Sequence, residues 1–154
     1  MNTTITNETV RAPSSAWERT TALSLLLWGL LHVAGGVVLM FGAASDPLEG
    51  LRSLGSGAAP DAFPLDPGPV TAALIGFHGL NIAFSGVAVT ALAVWAWRSY
   101  PKGVPTALII ATAADVGLAV YLLGSGHMRF TDGLWGPVLL AAAAGAAALA
   151  RQGR

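Results

Sequence analysis

Four uninterrupted apolar stretches constrain this chain more than any other feature. They run from about Thr21 to Ala43, Val70 to Trp97, Val104 to Leu123 and Leu134 to Ala150. A hydrocarbon core roughly 30 Å thick takes about 20 residues at a rise of about 1.5 Å each. All four stretches are near that length, and Asp115 is the one charged residue inside them. In lipid, backbone groups find partners only within a helix or a closed barrel, and none of these stretches alternates as barrel strands do. The expected fold is therefore all-α, a four-helix transmembrane bundle of up-down topology. Residues 21–150 form its single membrane domain, with helices at about 21–43, 70–97, 104–123 and 134–150 and an outer loop over 44–69. Tails cover 1–20 and 151–154.

Composition agrees. Of 154 residues, 54% are hydrophobic and 10% charged, where a soluble domain carries roughly 25% charged residues. The net charge of +0 gives no footprint for a nucleic-acid partner. The chain has no Cys, which removes disulfides, thiolate metal sites and thiol nucleophiles together. Heavy use of Ala and Gly points to a GC-rich bacterial genome, so the expected location is a bacterial inner membrane, crossed more than once.

Lys and Arg orient the helices. Arg11, Arg19, Arg98, Lys102, Arg151 and Arg154 lie on one side, and only Arg52 and Arg129 on the other. This bias places both termini in the cytoplasm. Trp95, Trp97 and Tyr100 then mark the inner interface, and Phe130 and Trp135 the outer one. The first apolar stretch is longer than the roughly 7–15 residues of a signal-peptide core, so a retained helix is expected. The two N-x-T triplets at Asn2 and Asn7 fall on the cytoplasmic side and are read as chance matches.

The 44–69 connection carries Asp46, Glu49, Asp61 and Asp66 against Arg52, with Pro47, Pro60, Pro64, Pro67 and Pro69. It reads as a solvated linker, the alternative being an acidic lid that draws cations or protons to the outer mouth, with one or two helical turns on the membrane surface over Pro47–Leu54. Tyr100-Pro101-Lys102-Gly103 reads as a tight turn that makes the second and third helices antiparallel neighbours. Gly124-Ser125-Gly126-His127 is a loose outer exit, and His127 reads as an interfacial polar residue. In having four helices, inner termini and one long outer loop, the chain resembles the small DoxX-like bacterial membrane proteins. That likeness is one of shape and composition and carries over no functional residue.

Ionisable side chains within spans are functional candidates, because lipid makes them costly. His32 lies roughly 13 Å below the outer end of the first helix, His78 roughly 12 Å into the second, and Asp115 roughly 13 Å below the outer end of the third. All three fall at one level. His78, Asn81 and Ser85 form a stripe on one helix face, and Thr112 lies one turn from Asp115. Gly29, Gly35 and Gly36 flank His32 and allow close approach of a backbone or flat ligand. The fourth helix offers only small residues such as Ala141, Gly145 and Ala148, and packing is its expected role.

Three readings fit this constellation. Asp115 and one His form a buried polar couple that locks the bundle. Alternatively, His32, His78, Asn81, Asp115, Thr112 and Ser85 form a ligand or proton site open to the outer face of a binding or accessory protein. In the third, His32 and His78 ligate a metal or the iron of haem b, with Asp115 orienting one ring. No haem or zinc spacing motif accompanies them. Trp28 and Tyr121 read as interface or packing aromatics. No hydrolase, zinc-protease or phosphate-loop motif is present, so an enzyme is not the leading expectation. Expected partners are the lipid bilayer and either a second copy of the chain or a membrane complex, the latter making the protein a structural subunit that uses the small-residue face of helix four.

Overall fold

A computed structural model describes residues 12–46, 68–100, 102–120 and 133–153. Most of the 44–69 loop, the surface turn over Pro47–Leu54, Tyr121, the Gly124–His127 exit, Arg129 and Phe130 lie outside the described residues. So does the chain before Ala12. The fold is all-α, with four helices: α1 (Ala16–Ser45), α2 (Gly68–Arg98), α3 (Val104–Leu118) and α4 (Trp135–Gln152). Two of them, α1 with 30 residues and α2 with 31, are long and apolar enough to cross a membrane.

Local chemistry sets the ends. Ser15 caps α1 by accepting from the Glu18 N–H at 3.2 Å. Glu18 reaches back to accept from the Ser15 N–H at 3.4 Å, closing a capping box, and from the Ser14 N–H at 2.8 Å. These bonds let Glu18 be buried, only 1% exposed, at the start of an apolar helix. Between α2 and α3 the chain turns at Gly103, whose φ of +82° favours a residue without Cβ. Pro105 sits in the first turn of α3, where its missing N–H costs nothing.

The α-helical part of α3 ends earlier than the expected Leu123. At Ala119 the N–H points to the carbonyls of both Asp115 and Val116, and Ala119 and Val120 continue in a wider π-helical turn. Apolar composition gives no sign of such a change.

The principal contact is the crossing of α1 and α2. Gly29 lies against Gly86 and Thr90, and Gly36 against Gly79 and Ala83, so the two helices run antiparallel. These four glycines are spaced by two turns on each helix, which brings them to one face. A Cβ on Gly86 would lie 2.6 Å from both the Gly29 carbonyl oxygen and the Val33 nitrogen. Only glycine lets two backbones meet this closely, gaining dispersion over the whole seam. α4 packs on the other flank of α1, and α3 adjoins both α2 and α4.

The core combines Leu25 and Trp28 of α1 with Val89, Ala93 and Ala96 of α2, Tyr100 of the α2–α3 turn, Ala107 and Ala111 of α3, and Ala143 and Ala147 of α4. Tyr100, expected at an interface, is thus a core residue, while Trp95 and Trp97 are exposed. In α4 the buried face is Gly136, Ala143, Ala146, Ala147 and Ala150. Ala141, Gly145 and Ala148, expected to pack, face outward. An almost uniform Ala helix has no size pattern to show its inner face, which here includes Gly136 beside Asp115.

Candidate functional site

One turn of α1 separates Trp28 from His32, which puts both rings on the same helix face. They stack with centroids 3.6 Å apart and planes inclined by 17°. His32 Nδ1 lies 2.9 Å from the Trp28 carbonyl oxygen. A carbonyl only accepts, so Nδ1 carries the hydrogen and donates it. That fixes the ring and turns Nε2 toward α3, where Asp115 Oδ1 stands 3.8 Å away. Trp28 Nε1–H donates to the other carboxyl oxygen, Oδ2, at 3.2 Å.

Asp115 is 6% exposed, and its Oδ1 is buried with no hydrogen-bond partner. The 3.8 Å gap to His32 is longer than a hydrogen bond but within charge-pairing reach. α4 closes the group. A Cβ on Gly136 would lie 2.9 Å from Asp115 Oδ1 and 3.1 Å from His32 Cε1. Trp28, His32, Asp115 and Gly136 thus tie α1, α3 and α4 together around one buried carboxyl group.

Next to this cluster, a cleft of about 350 Å³ opens between α2 and α3. Its α2 wall is His78, Asn81, Ile82 and Ser85, and its α3 wall is Ala113, Ala114, Gly117 and Leu118, with His32 contributed by α1. His78 and Asn81 are exposed at its edge, and Ser85 is half-buried. The Ser85 hydroxyl donates to the Asn81 carbonyl at 3.0 Å, leaving its oxygen able to accept. Of the predicted site residues, His32, His78, Asn81 and Ser85 share this cleft. Asp115 stands behind His32, and Thr112 is exposed and is not part of the lining.

Both nitrogens of His32 are directed at protein groups, so axial ligation of haem b by His32 and His78 requires the His32 ring to leave its stack on Trp28. Among the described residues no three His, Cys, Asp or Glu side chains converge as a metal site.

Trp28 and Gly136 are the members that sequence reasoning missed. The i, i+4 spacing of Trp28 and His32 was a readable signal, because that interval stacks side chains along a helix. Nothing in the sequence marks Gly136 among 19 glycines. Compared with known protein families, curated proteins and solved structures, the chain matches none.

Proposed function

We propose that this chain is an integral membrane protein whose four helices cross the bilayer with both termini in the cytoplasm, and that it binds a small hydrogen-bonding ligand in the α2–α3 cleft. The membrane part is supported by an inverted distribution of residues. Phe41, Phe77, Phe84, Val70 and Trp135 are all more than 60% exposed, while Glu18, Thr21, Ser24 and Asp115 are buried. A water-soluble monomer rarely exposes such large apolar surface, whereas lipid solvates it. α3, at roughly 22 Å, is shorter than the roughly 30 Å core.

The binding reading is carried by a single observation: one cleft gathers His32, His78, Asn81 and Ser85 between helices that expose many large apolar side chains. The polar groups of His78, Asn81 and Ser85 hold a ligand, and the stacked, hydrogen-bonded Trp28–His32–Asp115 cluster keeps the His32 ring in place. The protein thereby acts as a binding or accessory component of a bacterial inner membrane.

The Cys-free sequence supplies a test, because any introduced thiol is the only one. In bilayers, Ser85→Cys should react with N-ethylmaleimide at least about tenfold faster than Val87→Cys, which faces lipid. Thiolate forms readily only where water or polar groups reach it. Equal rates at the two positions would refute the cleft.

A further inference from the structure

We infer that the cleft accepts an uncharged amphipathic molecule, a hydrogen-bonding head on a single hydrocarbon chain, that enters sideways from the bilayer. This rests on the ligand-cleft reading above and narrows it to one chemical class.

The lining itself supplies the first reason. Its polar groups on α2 are the Asn81 amide, the Ser85 hydroxyl and His78, and no Lys, Arg, Asp or Glu joins them. Asp115 belongs to a different face, with its carboxyl group held by Trp28 and set opposite His32. An ion entering the cleft would give up hydration without meeting a Lys, Arg, Asp or Glu side chain, a large penalty at this depth. A neutral head exchanges its water bonds for bonds to Asn81 and Ser85. Among the described residues the Asn81 side chain has no hydrogen-bond partner, so its amide is free to donate and accept.

The opposite wall supplies the second reason. Ala113, Ala114, Gly117 and Leu118 present no polar side chain, and a Cβ built on Gly117 would meet nothing within 4 Å. A hydrocarbon body fits along this wall while the head faces α2. The volume of about 350 Å³ holds a head and the first part of a chain, near the small end of ligand pockets at roughly 300–1,000 Å³.

The mouth supplies the third. Of the two helices that form its walls, α2 exposes Phe77 and Phe84, 61% and 74%, and α3 exposes Val116 and Val120, 55% and 59%. These are lipid-facing positions under the proposed function, so the cleft communicates with hydrocarbon, and the rest of the chain lies among lipid tails.

The test uses three photoreactive diazirine probes with the same sixteen-carbon skeleton: hexadecanol, hexadecanoic acid and hexadecyltrimethylammonium. Each is irradiated with the full chain in nanodiscs, and the labelled peptides are identified by mass spectrometry. The alcohol should label the α2–α3 walls saturably, and the two charged probes should label at least about tenfold less. Asn81→Leu/Ser85→Ala should lower alcohol labelling by about tenfold, as expected for losing the bonds to the head. Should that variant unfold, Ser85→Cys capped with N-ethylmaleimide, which fills the cleft of a folded chain, must show the same loss. Competition separates two neutral sources: excess hexadecanol should displace the probe, and displacement by diacylglycerol alone would overturn the single-chain class. Equal labelling by the charged probes overturns the inference. So does absence of saturable alcohol labelling when Ser85→Cys still outreacts Val87→Cys, although the cleft itself then stands. Slow reaction at Ser85→Cys would instead remove the cleft reading.

Discussion

Alanine in place of glycine should have opposite effects on the two sides of this bundle, and the distances set the size of the difference. At Gly86 an added Cβ lies 2.6 Å from Gly29 O and Val33 N, and at Gly36 it lies 2.5 Å from Gly79 O. The opposing atoms are backbone, so no side chain can swing aside. Opening the 2.6 Å approach to an ordinary 3.4 Å contact moves α1 and α2 apart by about 0.8 Å, which loosens the seam on both sides of the new methyl. Overpacking of this kind costs about 1–3 kcal/mol per site, against a helix-propensity gain of up to about 1 kcal/mol for Gly→Ala. Each of Gly36→Ala and Gly86→Ala should therefore lose up to about 2 kcal/mol. The double variant should lose up to about twice that, if the two contacts act separately. Gly145 faces outward with nothing within 4 Å of its Cβ position, so Gly145→Ala should gain up to about 1 kcal/mol. Unfolding followed by helical circular dichroism as dodecyl sulfate is titrated into a mild detergent measures all four variants on one scale. The reasoning fails if Gly36→Ala and Gly86→Ala are as stable as Gly145→Ala.

Five further substitutions at four positions probe other contacts by the same assay. Trp28→Phe keeps a ring against His32 but removes the indole N–H that donates to Asp115 Oδ2, and should cost about 1–3 kcal/mol as a buried acceptor loses its partner. Gly103→Ala places a Cβ at φ +82° and 3.0 Å from the Trp95 ring; a loss of about 1–2 kcal/mol is expected, with Gly103→Asn less damaging. Ser15→Ala removes the side-chain half of the capping box and should cost about 1 kcal/mol. Thr90 Oγ1 is buried without a hydrogen-bond partner beside Gly29, so Thr90→Val should be neutral or stabilising, and a clear loss would show that the hydroxyl is bonded after all.

The helices were legible because apolar length is a long-range average that a few residues cannot disguise. The expected 134–150 and the observed Trp135–Gln152 differ by one or two residues at each end. α1 begins five residues before the expected Thr21, because the Ser15–Glu18 capping box extends the helix beyond its apolar stretch, and hydropathy does not see capping. The α2–α3 turn was legible from Pro101 and Gly103. The common level expected for His32, His78 and Asp115 came from counting residues along helices, which carries no information on rotation. Rotation decides what each side chain meets. His32 is directed at Asp115 and stacked on Trp28, while Thr112, on the same helix as Asp115, is exposed. The inner face of α4 was equally hidden, since Ala141 and Ala143 differ in surroundings and not in chemistry.

The cleft follows from how the four helices divide their contacts. α1 and α2 meet backbone to backbone at Gly29, Gly36, Gly79 and Gly86, which leaves no space between them for a ligand. α3 is drawn toward α1 and α4 by Asp115, because that carboxyl group is stabilised away from water only at Trp28 and beside Gly136. Near the α2–α3 turn, Gly103 closes on Leu92 and Trp95, so the two helices start in contact. Further along, the face of α2 that carries His78, Asn81 and Ser85 is met by a wall of α3 in which Leu118 is the one large side chain. Gly117, Ala113 and Ala114 are too small to fill the interval. A core of small residues thus serves two ends: it permits close packing where glycines oppose each other, and it leaves a lined space where one polar stripe faces alanine.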